Sequence, residues 1–157
     1  MPAEADTHSL LLRRDLRGEI HPPAWPGSIT LSTLQPEDAA AVHRLLSLHG
    51  GEPVPWDQWQ ACFKADAEYD PGLCLVLRHG TQIIAVAQGW TSAFIKDLVV
   101  HEDYRRQGLG LRLLEALFRC FQHRGEPYVD LRVREHNHAA RRLYERCGLC
   151  QVDRYAL

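Results

Sequence analysis

Strand rhythm and helix rhythm alternate along this chain. At residues 29–33, Ile29, Leu31 and Thr33 alternate with Thr30 and Ser32, the period-two pattern of a strand. Residues 73–77 and 83–87 are near-continuous apolar runs, and residues 78–82 between them, with Gly80, read as a hairpin turn. A third strand is expected from Phe94 to Val100. Runs of this kind are buried on both faces, which predicts helices covering the sheet. Val129, Leu131 and Val133 alternate with Asp130, Arg132 and Arg134, a strand with one polar face, and residues 152–157 read as a last strand.

Helical spacing fills the gaps. Pro36, Glu37 and Asp38 suit a helix start, where proline fits the first turn and acids face the positive end of the dipole. That helix is expected to run to Leu48 and stop at Gly50 and Gly51. A second is expected from Trp56 to Glu68, ended by Asp70, Pro71 and Gly72. Gly110, Leu113, Leu114, Leu117, Phe118 and Phe121 share one helix face, and residues 137–147 form a further helix. The resulting order, strand, two helices, three strands, helix, strand, helix, strand, is α/β. The three middle strands follow one another too closely to be all parallel, so the sheet is mixed.

Residues 1–27 read as an N-terminal arm and residues 28–157 as the folded domain. The three prolines and the glycine between His21 and Gly27 exclude helix and central strand there. Residues 10–20 read as a short strand or a helical turn, and Leu10, Leu11, Leu12, Leu16 and Ile20 are too apolar to stay in solvent, so they must dock on this domain or on a second subunit.

Composition narrows the class. A length of 157 residues suits one domain with a proper core. A net charge of −2 demands neither nucleic acid nor an anionic membrane as partner. No apolar run approaches the roughly 20 residues of a membrane-spanning helix, and the acidic start lacks a signal-peptide pattern, so a cytoplasmic protein is expected. Five scattered cysteines point to reduced thiols. Cys147 and Cys150 form a lone Cys-x-x-Cys with no second ligand pair, and no metal is expected.

The chemistry lies where the third middle strand runs through His101, Glu102, Asp103 and Tyr104 into Arg105, Arg106, Gln107, Gly108, Leu109, Gly110 and Leu111. A buried strand ends, and a basic turn with two glycines opens directly into a helix. The first amides of a helix have no internal partners and the dipole end is positive, so this turn is an anion cradle suited to a diphosphate. No Gly-Lys-Ser/Thr follows, so it is not a Walker loop, and it has too few glycines for a dinucleotide fingerprint.

Arg105-x-x-Gly108-x-Gly110 after an apolar strand resembles the pyrophosphate motif of the GNAT superfamily of N-acetyltransferases. Asn137, Ala139, Ala140, Leu143, Tyr144, Glu145, Gly148 and Leu149 resemble its second signature. The likeness covers residues 28–157 and is sharpest over 94–149. It implies the GNAT fold, a mixed, mostly antiparallel, splayed central sheet flanked by helices, with acetyl-coenzyme A as cosubstrate. It further implies that the backbone at Leu98, Val99 and Val100 pairs with the pantetheine arm, and that residues 105–111 hold the pyrophosphate. Asn137 and Ala140 would line the cofactor, and Tyr144 would protonate the departing thiolate. Spacing agrees: Asn137 and Tyr144 are seven apart and share a helix face with Ala140 between them.

On the acceptor side, Lys96 and Asp97 interrupt an apolar strand, and charges there cost free energy unless paired or facing a cleft. Polyamine acetyltransferases of the superfamily carry an acidic pair here. Asp97 matches its second member, which marks Asp97 as a candidate to bind or deprotonate an amine; a structural ion pair is the alternative. Acetyltransferases of ribosomal-protein amino termini use a glutamate base where this chain has Arg132, which points away from that activity. Arg132 and Arg134 are read as holding an acceptor carboxylate or pairing with Asp130. Trp56 and Trp59 are read as packing or as a roof over the acceptor. The expected function is transfer of acetyl to a primary amine of a small molecule or amino acid. A protein lysine or amino terminus, or a catalytically silent coenzyme A sensor, are the alternatives, and a homodimer stays open.

Overall fold

The computed structural model describes residues 6–50 and 54–157. Its sheet has seven strands: β1 (His8–Asp15), β2 (Ile29–Thr33), β3 (Tyr69–His79), β4 (Gln82–Trp90), β5 (Phe94–Val100), β6 (Tyr128–Arg134) and β7 (Cys150–Ala156). Among the described residues four helices flank it: α1 (Ala39–His49), α2 (Trp56–Ala65), α3 (Leu109–His123) and α4 (His138–Arg146). Strands run in the order β2-β3-β4-β5-β6-β1-β7, every pairing antiparallel except β5 with β6. The mixed, mostly antiparallel sheet expected from the sequence is present.

The first strand is the departure. His8–Asp15, expected in an arm, is an inner strand hydrogen-bonded to β6 on one side and β7 on the other. Leu10, Leu12, Leu16 and Ile20 are buried in the main core of this same chain. The pattern of residues 10–20 leaves a short strand or a helical turn open, because Leu10, Leu11 and Leu12 are consecutive and Arg13 and Arg14 follow; residues 8–15 take the strand. The proline-rich segment after it runs back toward β2 and packs Trp25 against the core. Residues 1–5 of the expected arm lie outside the described residues.

Two cores sit on opposite faces of the sheet. On one, α3 turns Leu113, Leu114, Leu117, Phe118 and Phe121 onto Leu75, Leu77, Ile95, Val129 and Leu131. On the other, α1 and α2 bring Val42, Leu45, Trp59 and Phe63 onto Cys74, Val76, Val86 and Val99. Each fully buried leucine or phenylalanine contributes about 1.5–3 kcal/mol, so these faces hold the strands that carry the site. Among the described residues no helix is long and apolar enough to cross a membrane.

Boundaries differ from expectation for identifiable reasons. A 3-10 turn at Pro36–Asp38 precedes α1, which ends at His49 with Gly50 as its C-cap; Gly51 lies outside the described residues. The second helix stops at Ala65 rather than Glu68. There the Asp66 carboxylate accepts the Glu68 amide (2.9 Å) and the Trp90 indole N–H (2.8 Å), which stabilises a turn. Asp70, Pro71 and Gly72 do not end a helix. They form an irregular stretch inside β3, where the register slips between Tyr69 and Cys74.

Candidate functional site

The turn before α3 is built as a cradle. After β5 the chain makes a 3-10 turn (Glu102–Tyr104), then places Arg106 and Gly108 at positive φ, 64° and 73°. Gly108 is the N-cap of α3 and supplies no side-chain cap, so the opening amides of the helix are left for a ligand. A Cβ on Gly108 would meet the Arg112 guanidinium at 3.0 Å, and that guanidinium donates to the Gln107 carbonyl. Arg105 also borders the cradle, but its guanidinium donates to the carbonyls of Val100 (3.1 Å) and His49 (2.9 Å). It ties the end of α1 to the end of β5, while Arg106 stays exposed with its charge uncommitted to any carboxylate among the described residues.

From the cradle, an open gap leads along β5. The parallel pairing of β5 with β6 is confined to Phe94↔Asp130 and Ile95↔Leu131, and the strands then part. On its other side β5 stays paired with β4 as far as Val100, and the His101 amide donates to the Ile84 carbonyl. Peptide groups alternate sides along a strand, so those of Val99, like that of His101, are turned toward β4. Those of Leu98 and Val100 face the gap. The backbone of Val99, expected to pair with pantetheine, is paired with Val86 of β4, and Val99 lines the groove. An extended ligand can add at Leu98 and at the Val100 N–H as a further strand, while the Val100 carbonyl already accepts from Arg105.

Helix α4 forms the far wall. Asn137 is its N-cap, accepting the Ala140 amide at 3.2 Å. Ala140, Leu143 and Tyr144 lie against the gap, and Gly110 sits close enough to Leu143 that a Cβ would touch it at 3.4 Å. The Tyr144 hydroxyl has no hydrogen-bond partner among the described residues. Burial, with smaller contributions from Cys147 and Asp97, pushes its pKa above the usual 10.0, so it is protonated at neutral pH. Cradle, strand edge and helix wall enclose one groove of about 1060 Å³, lined by Leu98, Val99, Val100, Arg105, Arg106, Gln107, Gly108, Leu109, Gly110, Leu111, Asn137, Ala140 and Tyr144. Thirteen positions scattered over 47 residues of sequence thus meet in one place.

Residues 39–149 match the model of the acetyltransferase (GNAT) family, most of the chain. The chain belongs to the GNAT acetyltransferase family. It is 31% identical over 104 residues to acetyltransferase ECA0875 of Pectobacterium atrosepticum, covering 63% of this chain and 72% of that one. The crystal structure of a GCN5-related N-acetyltransferase from Sphaerobacter thermophilus superposes on 96% of this chain with a TM-score of 0.84 at 26% identity, and the chain spans half the length of that protein. The ribosomal-protein-S18-alanine N-acetyltransferase of Escherichia coli superposes with a TM-score of 0.69 at 26% identity, covering 80% of this chain and 79% of that one.

On this GNAT scaffold, Asp97 is presented by a bulge. Gln88 opposes Asp97 and Gly89 opposes Ile95, so Lys96 is an extra residue in β5. The bulge reverses the alternation. Ile95 packs in the α3 core, whereas Val99, four residues on, packs in the α1/α2 core and takes Asp97 to that face with it. Lys96 is left exposed, its ammonium 5.8 Å from the Trp90 ring centre. Asp97 has no ion-pair partner among the described residues, so the structural-ion-pair alternative is not what holds it. Burial lifts its carboxyl above the usual 3.8, partly offset by Lys96. It borders a chamber of about 160 Å³ with Lys96, His43, Ser47 and Trp59.

The remaining candidates lie elsewhere on the sheet or around the chamber. Asp130 pairs with Arg13 of β1. Arg132 lies over the Tyr155 ring, 4.7 Å from its centre, away from the Asp97 chamber. Neither it nor Arg134 lines the groove or the chamber. Trp56 and Trp59 pack on the His43 ring at 5.3 Å, and Trp59 also lines the chamber. The sequence reading missed Arg112, His49 and the stretch Pro22, Pro23 and Ala24, all of which line the groove. Arg112 was legible as a cation in the first turn of α3. The prolines were not, because their place follows from β1 entering the sheet.

Proposed function

We propose that the chain transfers an acetyl group from acetyl-coenzyme A to a primary amine of a small molecule or amino acid, by direct attack. The observation that carries this reading is the single groove joining the α3 amides, the free edge of β5 and Tyr144, with the Asp97 chamber on the other face of the same strand. The residues fit the cosubstrate: uncapped amides and Arg106 for the diphosphate, Leu98 and Val100 for the amide groups of pantetheine, and Ala140 for clearance. When bound, acetyl-coenzyme A supplies the thioester.

This chain's residues do the rest. Asp97, raised in pKa and beside a small chamber, takes the proton from the acceptor ammonium. A peptide N–H of Leu98 or Val100 faces the gap and polarises the thioester carbonyl. Tyr144, protonated and without another partner among the described residues, gives its proton to the departing sulfur. A second reading, acetylation of a protein amino terminus, draws on the likeness to the S18-alanine enzyme. Arg132 weighs against it, since it cannot act as a base and packs on Tyr155.

The test is release of free thiol from acetyl-coenzyme A with a panel of amines, amino acids and peptides. Turnover with small amines or amino acids above that with peptides supports the proposal. Peptide preference favours the second reading, and coenzyme binding without release for any acceptor overturns both.

A further inference from the structure

Gln88 lies in the middle of β4, 2% exposed, and among the described residues its amide nitrogen has no hydrogen-bond partner. Buried polar side chains are paired as a rule, and an amide nitrogen carries two donors. The strand registers place Cys74, Gln88 and Asp97 in one row across β3, β4 and β5. Two residues along, Val76, Val86 and Val99 form the adjacent row and belong to the core beneath α1 and α2. Side chains two apart share a face. Gln88 and Asp97 are therefore cross-strand neighbours on one face, with Cβ atoms about 4.5–5.5 Å apart.

The chemistry of the row is unbalanced. Cys74 is a poor partner for an amide donor, since thiol sulfur accepts weakly, and burial holds it protonated, its pKa pushed up to about 12. Asp97 makes no hydrogen bond among the described residues. An unused donor thus stands beside a carboxyl whose proposed work requires it to become an anion. The bulge at Lys96 is what brings the two together: in a regular strand sharing the Ile95 register, Asp97 would face the α3 core.

We infer that Gln88 is a positioning residue for Asp97, its amide N–H donating to the carboxylate, directly or across one water, as Asp97 takes the acceptor's proton. In that step one N–H bond of the ammonium breaks and one O–H bond of the carboxyl forms, leaving a neutral amine with a free electron pair. The inference rests on Asp97 being the base. Gln88 itself does not touch the acceptor. The other groups that bear on Asp97 are Lys96 on its own strand, Cys74 from β3, His43 from α1 and Tyr144 from α4, while α2 presents the indole of Trp59.

The experiment follows the Asp97 carboxyl carbon by NMR through a pH titration of the full chain, the signal assigned by its loss in Asp97→Asn. Gln88→Met keeps the volume and removes the donor. The Asp97 titration then moves to higher pH by about one unit, because a donor favours the charged form, with acetyl-coenzyme A affinity retained. Gln88→Leu likewise removes the donor without adding charge, and decides the matter if the methionine variant does not fold. A titration that stays in place in a folded variant overturns the inference. The same proteins assayed for thiol release separate the two claims. Asp97→Asn with undiminished turnover removes Asp97 as base, whereas loss in Asp97→Asn without any shift in the Gln88 variants removes only the role of Gln88.

Discussion

The Arg13 guanidinium grips the Asp130 carboxylate with two hydrogen bonds, 2.8 and 3.0 Å, across the β1–β6 ladder. The same guanidinium lies 3.8 Å from the centre of the Tyr128 ring. The Arg13 side chain is 37% exposed and that of Asp130 16%, so the pair is part-buried and its net stabilisation is modest. The effect of the two contacts is on register: they hold β1 so that Leu10 and Leu12 face the α3 core. A one-residue slip would send those leucines to the other face. Through β1, the far strand β7 is joined to the rest of the sheet, because among the described residues β7 pairs with β1 alone.

Truncation tests this. Leu12→Ala alone is expected to cost roughly 2–5 kcal/mol of a total stability of about 5–15 kcal/mol. Removing residues 1–27 strips both leucines, Leu16 and Ile20 and leaves β7 without a partner. The truncated chain is expected to lose cooperative unfolding in urea and most of its acetyl-coenzyme A binding, since Pro22, Pro23 and Ala24 go with it. A truncated chain that unfolds as the full chain does would show that β1 is an accessory.

Much of the fold was legible because its signals are local. Phe94–Val100 and the face of α3 were read from periodicity, and the cradle from Gly108 and Gly110 in a strand-to-helix turn. The non-local features were hidden. Nothing near His8 says that it will lie between two strands from the other end of the chain. Nothing near Lys96 announces a bulge, which exists only relative to Gln88 and Gly89 on β4. Asp97 was singled out because charge is costly in an apolar strand. Gln88 drew no notice, because a lone glutamine at the end of an apolar run reads as a strand terminus until its burial is seen.

The cradle predicts a charge-specific loss of binding. Gly108→Asp puts a carboxylate against the expected diphosphate and crowds Arg112. Affinity for acetyl-coenzyme A by calorimetry is expected to fall tenfold or more, about 1.4 kcal/mol per factor of ten. Gly108→Ala carries the same backbone strain at φ 73° without the charge, and its loss is expected to be smaller. Equal losses in the two variants would assign the effect to backbone strain alone.

Asp38 and Arg78 link the start of α1 to β3, and they predict a pH-dependent stability. Asp38 is 5% exposed, and although burial opposes its ionisation, hydrogen bonds from Arg78 and from the Gln35 amide hold its pKa below the usual 3.8. A carboxyl lowered in the folded state contributes stability above its unfolded pKa, and that contribution is lost as pH falls through the folded value. Arg78→Met leaves the buried carboxylate without its main donor, at a cost of about 2–3 kcal/mol near neutral pH. The gap from the parent is expected to close as the pH is taken below about 4 and Asp38 takes up its proton. A gap in urea midpoint that stays constant between neutral and acidic pH would mean that Arg78 acts through packing.

Tyr144→Phe tests the mechanism most directly. It removes one hydroxyl and keeps the ring that packs against the core. Because that hydroxyl bonds to nothing among the described residues, its loss is expected to leave the melting temperature nearly unchanged. A tyrosine serving structure would instead lose a hydrogen bond worth about 1 kcal/mol. Affinity for acetyl-coenzyme A is expected to survive, since the cradle and the edge of β5 are untouched. Turnover is expected to fall by roughly 100- to 10,000-fold, the range of general acid catalysis. The pH profile adds a second readout. Burial keeps the Tyr144 proton in place beyond the usual 10.0, so the parent should hold its rate on the alkaline side until the phenol ionises. The phenylalanine variant has no such group, so any alkaline decline belonging to Tyr144 should vanish with it. Full turnover in Tyr144→Phe would leave water as the proton donor and reduce Tyr144 to a wall of the groove.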